Sequence, residues 1–97
     1  MAKGYVVAHL DVHDAEGFQK YREKVPATVE QYGGTYVVRG GTMEMVEGDA
    51  LPQRTIILEF PSLSQAKAWY NSPEYQEIIG LRLQAATGSA QFVEGVD

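Results

Sequence analysis

GYVVAHLDVHDAEGFQKYREKVPATVEQYGG, residues 4–34, changes its hydrophobic period once, and that change decides the fold class. From Gly4 to Val12 the pattern alternates. Val6, Ala8, Leu10 and Val12 take one face and Tyr5, Val7, His9 and Asp11 the other, as in a half-buried strand. Asp14 then offers a helix N-cap, with Glu16 in the first turn where the helix dipole favours a carboxylate. Phe18, Tyr21, Val25, Val29 and Tyr32 follow at spacings of 3, 4, 4 and 3, one apolar stripe of a helix that lies on a sheet. Pro26 removes a backbone donor inside that stripe and predicts a kink or break near Lys24–Val25. Gly33 and Gly34 end the helix, one of them in a left-handed cap.

Outward from this unit, Thr35–Arg39 reads as a second strand, interrupted at Gly40-Gly41, and Met43–Val46 offers a continuation before a turn at Gly48-Asp49. Arg54–Phe60 is a third strand with Thr55, Ile57 and Glu59 on one face and Ile56, Leu58 and Phe60 on the other. Pro61 stops it. Ser62 with Gln65 makes a capping box for a second helix carrying Leu63, Ala66, Trp69 and Tyr70. At Asn71-Ser72-Pro73 the helix restarts, Ser72 as cap and Pro73 in the first turn, and the pattern predicts one helical piece over Pro73–Ala86. Gly88 closes it, and Ala90–Glu94 is the last strand before a mobile tail.

The order βαββαβ predicts an α+β fold of ferredoxin-like type: a four-stranded antiparallel sheet with its helices on one face. The uncovered face would carry Tyr5, Val7, His9, Val37, Arg39, Thr55, Ile57 and Glu59, too apolar for a solvated surface and too polar for a dry core. A two-fold homodimer, sheet to sheet, resolves that conflict as a dimeric α+β barrel.

The 97 residues are expected to form one domain over 1–97. Hydrophobic content of 44% with 22% charged residues excludes disorder and fibrous repeats. With no cysteine there are no disulfides, thiolate metal sites or cysteine nucleophiles. No apolar run is long enough to span a membrane. The first residues read as a strand and not as a leader peptide, so the expected location is the cytoplasm. A net charge of −5 opposes nucleic-acid binding, and the open face has Tyr5 but no central aromatic pair for stacking on bases.

Two groups of residues can carry chemistry. His9, Arg39 and Glu59 on the open face could anchor an anionic or carbonyl-bearing ligand, with His9 as the candidate catalytic proton carrier. Alternatively they form an ion-pair network that sets the dimer register. The segment WYNSPEY, residues 69–75, supplies the ring faces of Trp69, Tyr70 and Tyr75, and Arg82 follows seven residues after Tyr75 on the same helical side. Ser72-Pro73 at a helix start adds free backbone donors. Core packing accounts for Trp69 and Tyr70 individually. An arginine on a core-facing stripe needs a partner, so Tyr75 with Arg82 points to an anion site that includes Arg39, the alternative being an ion pair of Arg82 with Glu47 or Glu59 that leaves no vacancy. Glu47-Gly48-Asp49 with Arg54 either covers a cavity or forms a hairpin tip, and Met43 and Met45 read as packing. His9 and His13, four apart on a strand, do not surround a metal, and there is no HExxH, GxGxxG, P-loop or GxSxG string. No cofactor and no metal are expected.

GGTYVVRGG at 33–41, EGD at 47–49, EFPS at 59–62, AWYNSPEY at 68–75 and LRLQAA at 81–86 resemble the DUF1330 family over nearly the whole chain, Gly4 to Val96. The resemblance implies a ferredoxin-like dimeric α+β barrel. It implies no activity, although barrels of this kind include cofactor-independent monooxygenases. The family pattern maps onto Tyr21, Arg39, Gly40, Glu47, Trp69, Tyr70, Ser72, Tyr75 and Arg82, all present here. The functional expectation is a small dimeric protein that binds a polar or anionic metabolite through Arg39, Ser72, Tyr75, Arg82, Trp69, Tyr21 and Glu47, with or without cofactor-free acid–base catalysis. The alternative is a non-catalytic sensor or a purely structural dimer.

Overall fold

A computed structural model describes residues 2–51 and 54–97; of the expected single domain, only Met1, Pro52 and Gln53 lie outside the described residues. In chain order the elements are β1 (Gly4–Val12), α1 (Ala15–Gln31), β2 (Thr35–Arg39), β3 (Arg54–Phe60), α2 (Leu63–Tyr70), α3 (Pro73–Gln76), α4 (Ile79–Ala85) and β4 (Ala86–Glu94). The strands form one antiparallel sheet in the order β2-β3-β1-β4, so the first and third strands of the sequence lie at its centre. This is the ferredoxin-like α+β arrangement, and the helices cover one face of it.

The alternation of β1 sorts its side chains between the two faces. Val6, Ala8 and Leu10 are buried under the helices, whereas Tyr5, Val7 and His9 are only half-buried. On the helix face Val6 pairs with Leu58 and Ala8 with Ile56, and on the open face Tyr5 pairs with Glu59, Val7 with Ile57 and His9 with Thr55. Gly4, opposite Phe60, lets the start of α2 sit directly on the sheet, because a Cβ there would overlap the backbone of Leu63. Asp14 caps α1 by accepting from the Gly17 N–H at 3.1 Å. Phe18, Tyr21, Val25 and Val29 are its buried stripe.

Several expectations need correction. Helix α1 runs unbroken through Pro26. Buried anchors stand on both sides of the proline, and their packing outweighs the roughly 3 kcal/mol that an interior proline costs. Met43–Val46 does not extend β2. After Arg39 the chain turns at Gly40, whose φ of +70° is left-handed and whose N–H makes a last bond to the Thr55 carbonyl at 2.9 Å. The helical piece predicted over Pro73–Ala86 is two helices, α3 and α4, separated at Glu77–Ile78. Strand β4 begins at Ala86, four residues early, because all nine residues of β1 find a partner in it, out to Val12 opposite Ala86. The tail is not free at its start: the Gly95 N–H donates to the Lys3 carbonyl at 2.7 Å.

The correction that matters most for the site lies in β2. Thr35 pairs with Glu59 and Tyr36 with Leu58, but the next pairs are Val38 with Ile57 and Arg39 with Ile56. Val37 is the extra residue of a β-bulge and is 54% exposed. One inserted residue reverses the facing of all that follow. Arg39 therefore belongs to the helix-covered face, and the expected open-face trio of His9, Arg39 and Glu59 does not exist.

Candidate functional site

Between the helix face of the sheet and helices α1 to α4 lies a cavity of about 60 Å³. One water needs roughly 10–15 Å³ measured this way, so the void holds several waters or the head of a small ligand. Its floor is apolar: Val6, Ala8, Leu10, Ile56 and Leu58 of the two central strands.

The rim is cationic. All four arginines of the chain, Arg22, Arg39, Arg54 and Arg82, line the cavity, and none of the four lysines does. No aspartate, glutamate or histidine lines it among the described residues. None of the four guanidiniums has a carboxylate within ion-pair distance among those residues; Glu59 instead receives Lys3 at 3.2 Å and the Tyr5 hydroxyl at 2.9 Å on the open face. Two of the arginines rest on aromatic faces, Arg39 at 4.5 Å over Tyr36 and Arg54 at 5.0 Å over Phe18. Arg22 and Arg39 are exposed and mark the side open to solvent. Arg82 is half-buried, and its Nε is enclosed in protein with no hydrogen-bond acceptor.

Four tyrosines complete the lining. Tyr21 and Tyr75 are 8% and 2% exposed, and their hydroxyls meet at 2.8 Å. Burial pushes the Tyr21 phenol far above its ordinary range. Burial also raises Tyr75, against the Arg82 guanidinium beside it. Tyr36 is raised by burial against the pull of Arg39 and Arg22. The phenols of Tyr21, Tyr36 and Tyr75 are therefore neutral donors at physiological pH.

The short helices exist to place Tyr75. Ser72 accepts from the Tyr75 N–H at 3.1 Å and donates to the Trp69 carbonyl at 2.7 Å, which joins the end of α2 to the start of α3. The Trp69 ring packs on Tyr75 at 4.1 Å between centroids, and its indole N–H donates to Thr28 at 3.0 Å. Thr28 in turn donates to the Val25 carbonyl at 2.8 Å, so the indole is held from α1.

Of the residues singled out in the sequence, Tyr21, Arg39, Trp69, Tyr75 and Arg82 meet around this cavity. Ser72 does not line it; both bonds of its hydroxyl are committed to the backbone, and of the donors expected at its helix start the Tyr75 N–H goes to that hydroxyl and the Glu74 N–H to its own carboxyl. Glu47 is exposed in the irregular segment after β2, away from the cavity. His9 stands on the opposite face of the sheet, its Nδ1 3.1 Å from the Thr55 hydroxyl. That hydroxyl also lies 3.2 Å from Met43 Sδ. Sequence reasoning missed Arg22 and Tyr36 as cavity residues and left Arg54 between covering a cavity and forming a hairpin tip; it lines the cavity. Arg54 was legible: it shares the parity of Ile56, Leu58 and Phe60. Arg22 follows Tyr21 on the helix, and no period marks it.

Chemically the site offers donors and cations without a base. Guanidiniums keep their protons, and the phenols are held neutral. Such a lining is complementary to negative charge or a carbonyl oxygen and not to cations. Among the described residues no three histidines, aspartates or glutamates come together, and no helix is long and apolar enough to cross a membrane.

The family model for DUF1330, described as a domain of unknown function, matches residues 3–96. No curated protein matches the chain. Among solved structures, a protein of unknown function from Rhodopseudomonas palustris superposes with a TM-score of 0.73 at 20% identity, over 96% of this chain and 80% of that one. SnoaB, a cofactor-independent oxygenase from Streptomyces nogalater, gives a TM-score of 0.66 at 12% identity over 100% and 96% of the two chains. A dimeric protein of unknown function and ferredoxin-like fold from Bacteroides fragilis gives 0.52 at 16% over 96% and 93%. At these identities the likeness is one of fold.

Proposed function

Because this chain belongs to the DUF1330 family of domains of unknown function, its role has to be read from its own residues, and we propose that it binds a small anionic metabolite in the arginine-lined cavity. The observation that carries this reading is the gathering of every arginine of a chain with net charge −5 around one void that, among the described residues, no carboxylate lines. Packing alone gives no reason for that: guanidiniums brought together without anions repel one another and lose hydration. A ligand carboxylate or comparable anion removes both penalties, through charge-assisted bonds that are stronger than neutral ones. The apolar floor and aromatic walls suit a ligand with a flat or hydrophobic body.

The same reading includes a homodimer closed sheet to sheet. Tyr5, Val7, Val38 and Ile57 lie half-exposed on the uncovered face of a slab measuring 34 × 34 × 17 Å. Closing two such faces removes apolar surface from water at about 25 cal/mol per Å² before association costs. His9 would then lie at the interface, apart from the cavity, and the role that fits it there is structural. Acid–base catalysis in the cavity, if the ligand is turned over, falls to the phenols as proton donors.

The single tryptophan, Trp69, packs on Tyr75 in the cavity wall and reports occupancy by its fluorescence. Titration with benzoate is expected to give a saturable change that Arg82→Met and Arg39→Met each weaken at least tenfold. Absence of saturation with aromatic and aliphatic carboxylates and with phenols would refute the reading.

A further inference from the structure

We infer that the inner end of the cavity is a clamp for one oxyanion, so that the ligand class it takes is a phenol or enol bound in its ionised form. The inference rests on the anion-binding reading above and adds to it the chemistry of the bound atom.

Tyr21 and Tyr75 bring two hydroxyl protons to a buried pair, and their 2.8 Å contact uses one. The Arg82 guanidinium beside Tyr75 can only donate to it, and no acceptor other than the partner hydroxyl meets either tyrosine among the described residues, so one proton remains to be given. Arg82 lines the same cavity beside Tyr75, and the Nε it keeps from solvent also lacks an acceptor. Buried polar groups are rarely left unsatisfied, and two donors without acceptors on neighbouring side chains of one void point to an oxygen that is supplied from outside. An oxygen seated there accepts from Tyr75 and from Arg82, while Tyr21 donates to Tyr75. Each bond polarises the next.

The protonation state of the ligand follows from the lining. A neutral phenol arrives with a proton of its own. A guanidinium has no lone pair to accept it, and among the described residues no carboxylate or imidazole lines the cavity. The ionised form brings only acceptors, so the site favours it, and the released proton passes to the buffer through the open side. Trp69, Tyr70 and Tyr75 pack on one another with centroids 4.1 to 6.2 Å apart and give the cavity an aromatic wall against which a conjugated ring can lie. The exposed Arg22 and Arg39 stand at the open side, where charge delocalised to the far end of such a ring would meet them.

The test uses 4-nitrophenol, whose ionised form absorbs in the visible, with benzoate as a second probe. The expected result is a bound nitrophenol whose ionisation midpoint lies at least one pH unit below that of the free compound, a tenfold preference for the anion. Tyr75→Phe should abolish most of that shift and Tyr21→Phe part of it, with folding checked by circular dichroism. Benzoate binding together with an unshifted or raised nitrophenol midpoint in the unmodified protein overturns the clamp and leaves the anion site standing. Failure of both probes to bind overturns the cavity reading, and the clamp with it.

Discussion

The hydroxyls of Tyr21 and Tyr75 lie 2.8 Å apart, although 54 residues separate them in the chain. Tyr21 comes from the buried stripe of α1, and Tyr75 from a four-residue helix held by Ser72. Their bond is a direct polar tie between these two elements inside the core. A second tie, Trp69 to Thr28, joins α1 to the end of α2.

Tyr21→Phe removes the tie without changing the ring. A net hydrogen bond contributes about 1 kcal/mol, and in a domain of this size that corresponds to a fall of roughly 4–8 °C in melting temperature. Thermal unfolding followed by circular dichroism checks it. An unchanged melting temperature would mean that the pair contributes nothing to the stability of the free protein.

Glu74 provides a pH dependence with a definite sign. Its own backbone N–H, the Tyr32 hydroxyl at 2.8 Å and Gln31 at 3.2 Å hold its carboxyl below the usual carboxylate range. A depressed folded value stabilises the native state at pH above the unfolded value and loses that contribution as pH falls through the folded one. The gap in melting temperature between the unmodified protein and Glu74→Gln should therefore be full near neutrality and should close on acidification below about pH 4. A gap that is constant or widens with acid contradicts this assignment.

The strand and helix pattern was legible because two periods, two and 3.6, alternate cleanly along the chain. What escaped was set by single backbone events. The bulge at Val37 moves Arg39 to the other face, and a valine in a run of β-formers gives no warning of it. The site was legible where it depends on residue type: Tyr75 and Arg82 are conspicuous on an apolar stripe. The interruption at Glu77–Ile78 changes their helical phase, yet both reach the cavity because α3 and α4 each pack against α1. Arg22 was not legible. It lies one residue beyond the buried Tyr21, where exposure and access to the cavity are decided by side-chain length.

Sheet-to-sheet pairing predicts a particle of twice 10.7 kDa by light scattering at micromolar concentration. Ile57 lies near the middle of the uncovered face, opposite Val7 and Val38. Ile57→Glu places a carboxylate there in each protomer, and burying two unpaired like charges costs several kcal/mol. The variant should scatter as a monomer with unchanged circular dichroism. A monomeric unmodified protein, or an Ile57→Glu variant that remains dimeric, would place the interface elsewhere or nowhere.

Arg82 should oppose stability in the empty protein and supply it in the occupied one. Its guanidinium is partly dehydrated, its Nε lacks an acceptor, and three other guanidiniums line the same void. Methionine keeps an unbranched apolar stem without the charge, so Arg82→Met is expected to stabilise the ligand-free protein, by on the order of 1 kcal/mol. Adding an anion reverses the ranking. A ligand at 100 times its dissociation constant stabilises the native state by about 2.7 kcal/mol, and the variant forgoes most of that gain. Melting curves of both proteins with and without benzoate should therefore cross in order. If Arg82→Met is the less stable of the two when empty and still gains fully from benzoate, the arginine is structural and the anion binds elsewhere.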